Sequence, residues 1–159
     1  MSLDMLDPQV RDGINLGGLE QSLGFLLRVS QLKVFDHFFE KLGHIGLKPG
    51  EYSVLWVISH NPGIRQGQLA QSLAIKNAHM TKLIRSFEVY GFIERRIPEE
   101  DRRSVELSLT EQGEAFVARH KPDFFGYIQS LDSPLDEGET RELIRLLAKF
   151  SGISRESVQ

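Results

Sequence analysis

Cysteine is absent from this sequence. With it go disulfides, thiolate redox sensing and thiolate metal sites, and the absence agrees with a reducing, cytoplasmic setting. Long apolar runs are missing too. No stretch approaches the ~20 residues of a membrane span, and no signal peptide is discernible. Glycine-rich phosphate loops, nucleophile motifs and internal repeats are lacking. His37 and His44 are seven apart, His60, His79 and His120 are scattered, and no His-x-x-x-His pair occurs. Neither a metal site nor a bound cofactor is expected. Carboxylate pairs occur only in charged runs such as Glu99-Glu100 and Asp136-Glu137, so catalysis is not expected either.

A local absence says more. Between Tyr52 and Phe87, 36 residues contain no Asp or Glu, while Arg65, Lys76, Lys82 and Arg85 bring four positive charges. Everywhere else acids outnumber bases: seven to five over residues 1–51, six to four over 88–109 and nine to six over 110–159. An acidic chain, net −3, thus carries one basic island. A duplex, with one phosphate charge per ~1.7 Å of axis, is the polyanion such a field would meet.

The island coincides with a recognisable pattern over residues 62–110. Leu69, Ala70 and Leu73 share one face of a short helix. Ala74-Ile75-Lys76-Asn77 reads as a turn, with Asn77 able to cap a second helix after it. Met80, Leu83, Ile84 and Phe87 recur at i, i+3, i+4 and i+7, which predicts that second helix, buried on that face. Gly91 supplies the left-handed position that ends it. Ile93 and then Val105, Leu107 and Leu109 alternate as two short strands around the charged loop Pro98-Glu99-Glu100-Asp101. Helix, turn, helix and hairpin make a winged helix. With the buried positions removed, Lys76, Asn77, His79, Thr81, Lys82 and Arg85 remain on the outer face of the second helix. All are donors or cations. Winged helices also occur as protein-interaction modules; those tend to lack the basic face and the wing arginine, and this sequence has both.

Around this unit the chain reads as mainly α. Residues 1–17 form an arm, and 18–47 hold a long helix from about Gly18 to Leu42. The winged helix occupies 48–110, including a helix from Pro49 to Ser59. Further helices occupy 111–152 and a tail 153–159. The first helix carries apolar residues on more than one stripe, so it is expected to be buried on two sides, one of them by a second subunit. Thr110 is expected to cap the next helix, with Gly113 a poor residue for its first turn and Pro122 a kink. Asp136 and Glu139, three apart, predict a capping box for the last helix.

The chain resembles the MarR family of bacterial transcription regulators. Gln68-Leu69-Ala70, the helix exit Phe87-Glu88-x-x-Gly91-Phe92-Ile93-x-Arg95, and the wing Asp101-Arg102-Arg103-Ser104 with Leu107-x-Leu109-Thr110-x-x-Gly113 carry the resemblance. Lys48, Arg65 and Lys76 depart from it, standing where the family often has Ser, Thr or Asp caps. The resemblance implies a homodimer built by the terminal helices, with one recognition helix per subunit in the major groove of double-stranded DNA. It implies base contacts from Asn77, His79, Thr81 and Lys82, and phosphate contacts from Lys76 and Arg85. On the wing it implies an Arg103 that enters the minor groove, an Asp101 that orients it, and backbone contacts from Arg96 and Arg102. It further implies a small-molecule effector pocket, here lined by Phe25, Arg28, Phe35, Phe38, Trp56 and His60. An aromatic carboxylate or its CoA thioester would suit those groups.

Overall fold

The computed structural model describes residues 13–153, so most of the expected arm and the end of the tail lie outside the described residues. The chain divides into two compact units, 1–129 and 130–159.

In the first unit, a 3-10 turn over Leu19–Gln21 precedes α1 (Leu23–Leu42). The expected start at Gly18 is corrected, because Ser22 is extended (φ −81°, ψ 117°) and closes the 3-10 turn with its own N–H. Of the apolar residues of α1, only Phe38 and Leu42 are buried within the chain, while Leu23, Leu26 and Phe39 stay exposed. The buried side packs on the end of a later helix, α5 (Glu111–Gly126), and on the turn that follows it. His37 Nε2 donates to the Tyr127 carbonyl at 3.0 Å, and Phe38 meets Phe124 and Tyr127 edge-on at 6.2 and 5.4 Å.

Helix α2 (Pro49–His60) starts with proline at its first position, where no N–H is needed. Lys48 has no acceptor to offer, so only half a capping box forms: Glu51 accepts the Lys48 N–H at 2.9 Å. Next come β1 (Ile64–Arg65), α3 (Gln66–Ser72), α4 (Asn77–Val89), β2 (Ile93–Arg96) and β3 (Glu106–Leu109). The sheet is antiparallel in the order β1-β3-β2, pairing Ile64 with Leu107 and Ile93 with Leu109. A third strand joins the two expected. At two residues it is too short to show alternation.

Side chains from every layer meet in one core: Tyr52, Val54, Leu55 and Ile58 of α2, Leu69 and Ala70 of α3, and Met80, Leu83, Ile84 and Phe87 of α4, with Ile93, Leu107 and Val117. The Tyr52 hydroxyl, inside this core, donates to the Val117 carbonyl at 2.8 Å, and burial pushes its pKa up to about 12. It is therefore a donor at any physiological pH and ties α2 to α5.

Helix α4 ends as its sequence predicts. Gly91 is left-handed at φ 72°, its N–H reaches the Glu88 carbonyl, and the Phe92 N–H reaches that of Phe87, both at 2.9 Å. Helix α5 (Glu111–Gly126) begins against this exit. Thr110 accepts the Gly113 N–H at 3.1 Å and donates to the Gly91 carbonyl at 2.5 Å. A Cβ on Gly113 would lie 2.0 Å from the Phe92 carbonyl oxygen. The poor helix former is thus the residue that permits a backbone-to-backbone approach, correcting the expectation drawn from propensity. Pro122 does not end α5, which runs on to Gly126 before a 3-10 turn at Tyr127–Ser130.

The second unit is α6 (Glu137–Phe150), opened by the expected box: Asp136 accepts from Glu139 N–H at 2.9 Å, and Glu139 from Asp136 N–H at 3.0 Å. None of its residues is buried, and Leu143, Ile144, Leu146, Leu147 and Phe150 are all exposed.

Candidate nucleic-acid interface

The turn between α3 and α4 is tighter than expected. Ala74 adopts φ 53°, a left-handed conformation costly for a residue with a Cβ, and Ile75 N–H reaches back to Ala70 at 2.9 Å. Lys76, extended at φ −62° and ψ 139°, is the N-cap without a side-chain bond. Asn77 is the first helical residue, correcting its expected role as cap. Its amide is free and exposed.

From that start α4 presents two faces. Met80, Leu83, Ile84 and Phe87 are buried, whereas Lys76, Asn77, His79, Lys82 and Arg85 are exposed. The side chains of those five have no partner among the described residues. No carboxylate competes for them. Thr81 differs: it is half-buried, donates to the Asn77 carbonyl at 3.0 Å and accepts from Gln66 Nε2 at 3.0 Å. Its hydroxyl is occupied inside the fold.

At the wing, Asp101 builds the turn. Its carboxylate accepts the Arg103 backbone N–H at 3.2 Å, and its carbonyl accepts both the N–H and the hydroxyl of Ser104 at 3.1 Å. The other carboxylate oxygen faces Arg65 Nη1 at 3.9 Å. Asp101 therefore shapes the backbone beneath Arg103 and makes no ion pair with its side chain. The guanidinium of Arg103 is unpaired among the described residues, as are those of Arg96 and Arg102; all three are exposed. Arg95 is spent on Glu88 at 2.6 Å, fastening the wing base to the end of α4. Glu99 and Glu100 are exposed at the tip. Between the wing and the helices lies a groove of about 470 Å³. Arg65, Gln66, Gln68, Gln71, Asn77 and Arg103 line it, without a carboxylate. Its glutamines on α3 escaped the sequence reading, although their spacing on a short helix was the available signal.

Of the six residues expected around an effector, Trp56 and His60 are seen in contact. Phe38 is fully buried and packs edge-on against Phe124 of α5. Phe35 is half-buried and Arg28 exposed on α1, with no ring or ionic contact to α2, and Phe25 is half-buried. Trp56 and His60 do pair, their rings 4.3 Å apart. His60 Nδ1 lies 2.9 Å from the Trp56 carbonyl, so Nδ1 carries the proton and Nε2 faces outwards. Phe125 stands edge-on to Trp56 at 4.8 Å, and Lys121 Nζ sits 5.4 Å over its ring. These two partners were missed. They are four apart on α5, one face of a helix, but far from Trp56 in sequence.

Residues 47–105 match the sequence model of the MarR family. A Thauera aromatica protein provisionally assigned to regulation of the hcr operon is 31% identical over 135 residues, spanning 84% of this chain and 81% of its own length. The structure of the transcriptional repressor CouR bound to a 23-mer DNA duplex superposes with a TM-score of 0.79 at 30% identity, covering 87% of this chain and 98% of that one. CouR bound to p-coumaroyl-CoA gives 0.77 at 28% identity, covering 90% of this chain and 99% of that one. Among the described residues no helix is long and apolar enough to cross a membrane.

Proposed function

The chain belongs to the MarR family of winged helix-turn-helix transcription regulators, and on that premise we propose that it is a homodimeric repressor that a small aromatic acid or its CoA thioester releases from a pseudo-palindromic operator. The carrying observation is the set of unpartnered donors on one side of the winged helix: Asn77, His79, Lys82 and Arg85 on α4 and Arg103 on the wing. Exposed cations with no internal ion pair keep their full charge for an external polyanion. In this reading α4 lies in the major groove, where Asn77, His79 and Lys82 meet base edges while Lys76 and Arg85 meet phosphates. Thr81 has its methyl and one acceptor lone pair left for a base. Arg103, raised by the Asp101 turn, enters a narrow A·T-rich minor groove, and Arg96 and Arg102 meet the backbone.

The dimer rests on the apolar residues that α6 and the start of α1 leave exposed. Two copies give two recognition helices, and half-sites about one helical turn apart are required by the two-fold axis. The effector reading rests on Trp56, His60, Phe125 and Lys121. A planar ring can stack on the tryptophan while the ammonium pairs with a carboxylate or a thioester's phosphates, and CouR, similar in fold, holds such a thioester. The test is titration of the protein onto its own upstream DNA at several salt concentrations, with and without aromatic acids and their CoA thioesters. Salt-steep, sequence-preferring binding that one compound abolishes is expected. Binding that no compound disturbs removes the effector, and no sequence preference at any salt removes the operator and favours a protein-interaction module.

A further inference from the structure

The two DNA-facing elements, α4 and the wing, are joined at the wing base by Arg95 and Glu88, and near the start of α4 by a residue at the junction of β1 and α3. Gln66 donates its backbone N–H to the Val105 carbonyl at 2.9 Å, holding the strand that leaves the wing tip. Its side-chain Nε2 donates to Thr81 Oγ1 at 3.0 Å, and Thr81 donates onward to the Asn77 carbonyl at 3.0 Å, in the first turn of α4. The neighbouring Arg65 faces Asp101 at 3.9 Å, beneath the wing arginine, and lies opposite Glu106 in the ladder. We infer that Gln66 is a positioning residue: it fixes the spacing and tilt of the recognition helix relative to the wing, and so fixes how many base pairs separate the major-groove and minor-groove contacts. The inference rests on the DNA-binding reading above.

The chemistry favours a brace over a direct base contact. Thr81 is half-buried and its hydroxyl already gives one hydrogen bond and takes another, so it has little left to read a base with. Gln66 is likewise half-buried, and its amide nitrogen is directed inwards. The hydrogen bond spans 15 residues and joins the two helices of the motif directly. Its loss would leave α4 packed by Met80, Leu83, Ile84 and Phe87 and held at its C-terminal end by Glu88, still folded, yet with its first turns free to shift about that apolar seam. The apolar contacts set depth, while a directional bond sets rotation.

The experiment uses the full chain and a duplex selected from a random library by the wild-type protein. Affinity is measured for that duplex and for one with a base pair inserted between the major-groove and minor-groove elements. Gln66→Ala and Thr81→Val should each weaken binding to the selected duplex about 2- to 10-fold, the range of one neutral hydrogen bond. Each should also shrink the penalty for the inserted pair, and the double variant should be no worse than either single. Thr81→Ser keeps the hydroxyl and should keep the wild-type penalty, which a residue acting only on folding stability would not report. Fold losses that multiply in the double variant, or an insertion penalty unchanged in Gln66→Ala, overturn the brace while leaving the DNA reading intact. A wild-type protein that selects no sequence overturns the DNA reading and the brace with it.

Discussion

Helices α4 and α6 have 13 and 14 residues and opposite surfaces. Helix α4 buries four large side chains inside its own chain and turns cations outwards. Helix α6 buries none and exposes Leu143, Ile144, Leu147 and Phe150 at the spacing of a single face. The first is a finished element whose free side suits a polyanion. The second is unfinished, since burying a leucine or phenylalanine side chain is worth about 1.5–3 kcal/mol that the chain by itself leaves unrealised. A cationic face in one region and an apolar face in the other thus come from the same rule of periodicity, read on opposite faces.

The largest effect should come from breaking α6. Leu147→Asp is expected to give monomers in sedimentation and to cost about 100-fold or more in operator affinity, since the second half-site no longer binds intramolecularly; a variant that stays dimeric ends the comparison. Next is Gly113→Ala, which must push the Phe92 carbonyl away from a 2.0 Å overlap. A loss of about 3 kcal/mol in chemical denaturation is expected, and a loss below about 1 kcal/mol would mean that the joint yields.

The outer face of α4 and the wing should separate by kind. Arg85→Ala is expected to weaken binding to most sequences alike and lower the salt slope by about one, whereas Arg103→Ala should cost about 10-fold on A·T-flanked sites and little on G·C-flanked ones. Equal losses on both flanks would place Arg103 on phosphate.

The smallest effect concerns pH. The His120 pKa is lowered from its ordinary 6.5, first by burial, then by Arg119 and His44, against an opposing pull from Asp123. Its Nδ1 has no hydrogen-bond partner among the described residues. The unfolded chain then takes up a proton more readily than the folded one, so stability is full above 6.5 and falls as pH drops from there through the lowered value. His120→Phe should flatten that decline in thermal melts between about pH 5 and 7, while leaving the rest of the profile unchanged.

How much of the molecule was legible in the sequence depends on the range of the forces involved. The buried quartet of α4, the left-handed Gly91 and the Asp136–Glu139 box are local, each written within a few residues, and each is found in the structure. The misreadings are long-range. Gly113 looks like a weak helix start until Phe92 is brought against it. Phe38 and Trp56 are both aromatic, yet one is fully buried and the other lies under Lys121, a difference of depth that residue type does not encode. The Gln66–Thr81 bond and strand β1 exist only because other elements are already in place. Asn77 differs from its expected role by one position, since cap and first helical residue have similar preferences and only the dihedral angles of Lys76 separate them.

The joint at Gly91, Thr110 and Gly113 makes a lever of α5. Sixteen residues form a rod ~24 Å long, clamped at one end to the exit of α4 and carrying Lys121 and Phe125 towards the other. A rod of that length tilted by about 5° moves its tip by ~2 Å, about three times the stretch that breaks a hydrogen bond. A hinge with slack would absorb so small a swing. This one, with a carbonyl seated where a methyl group would otherwise be, has little slack to do so.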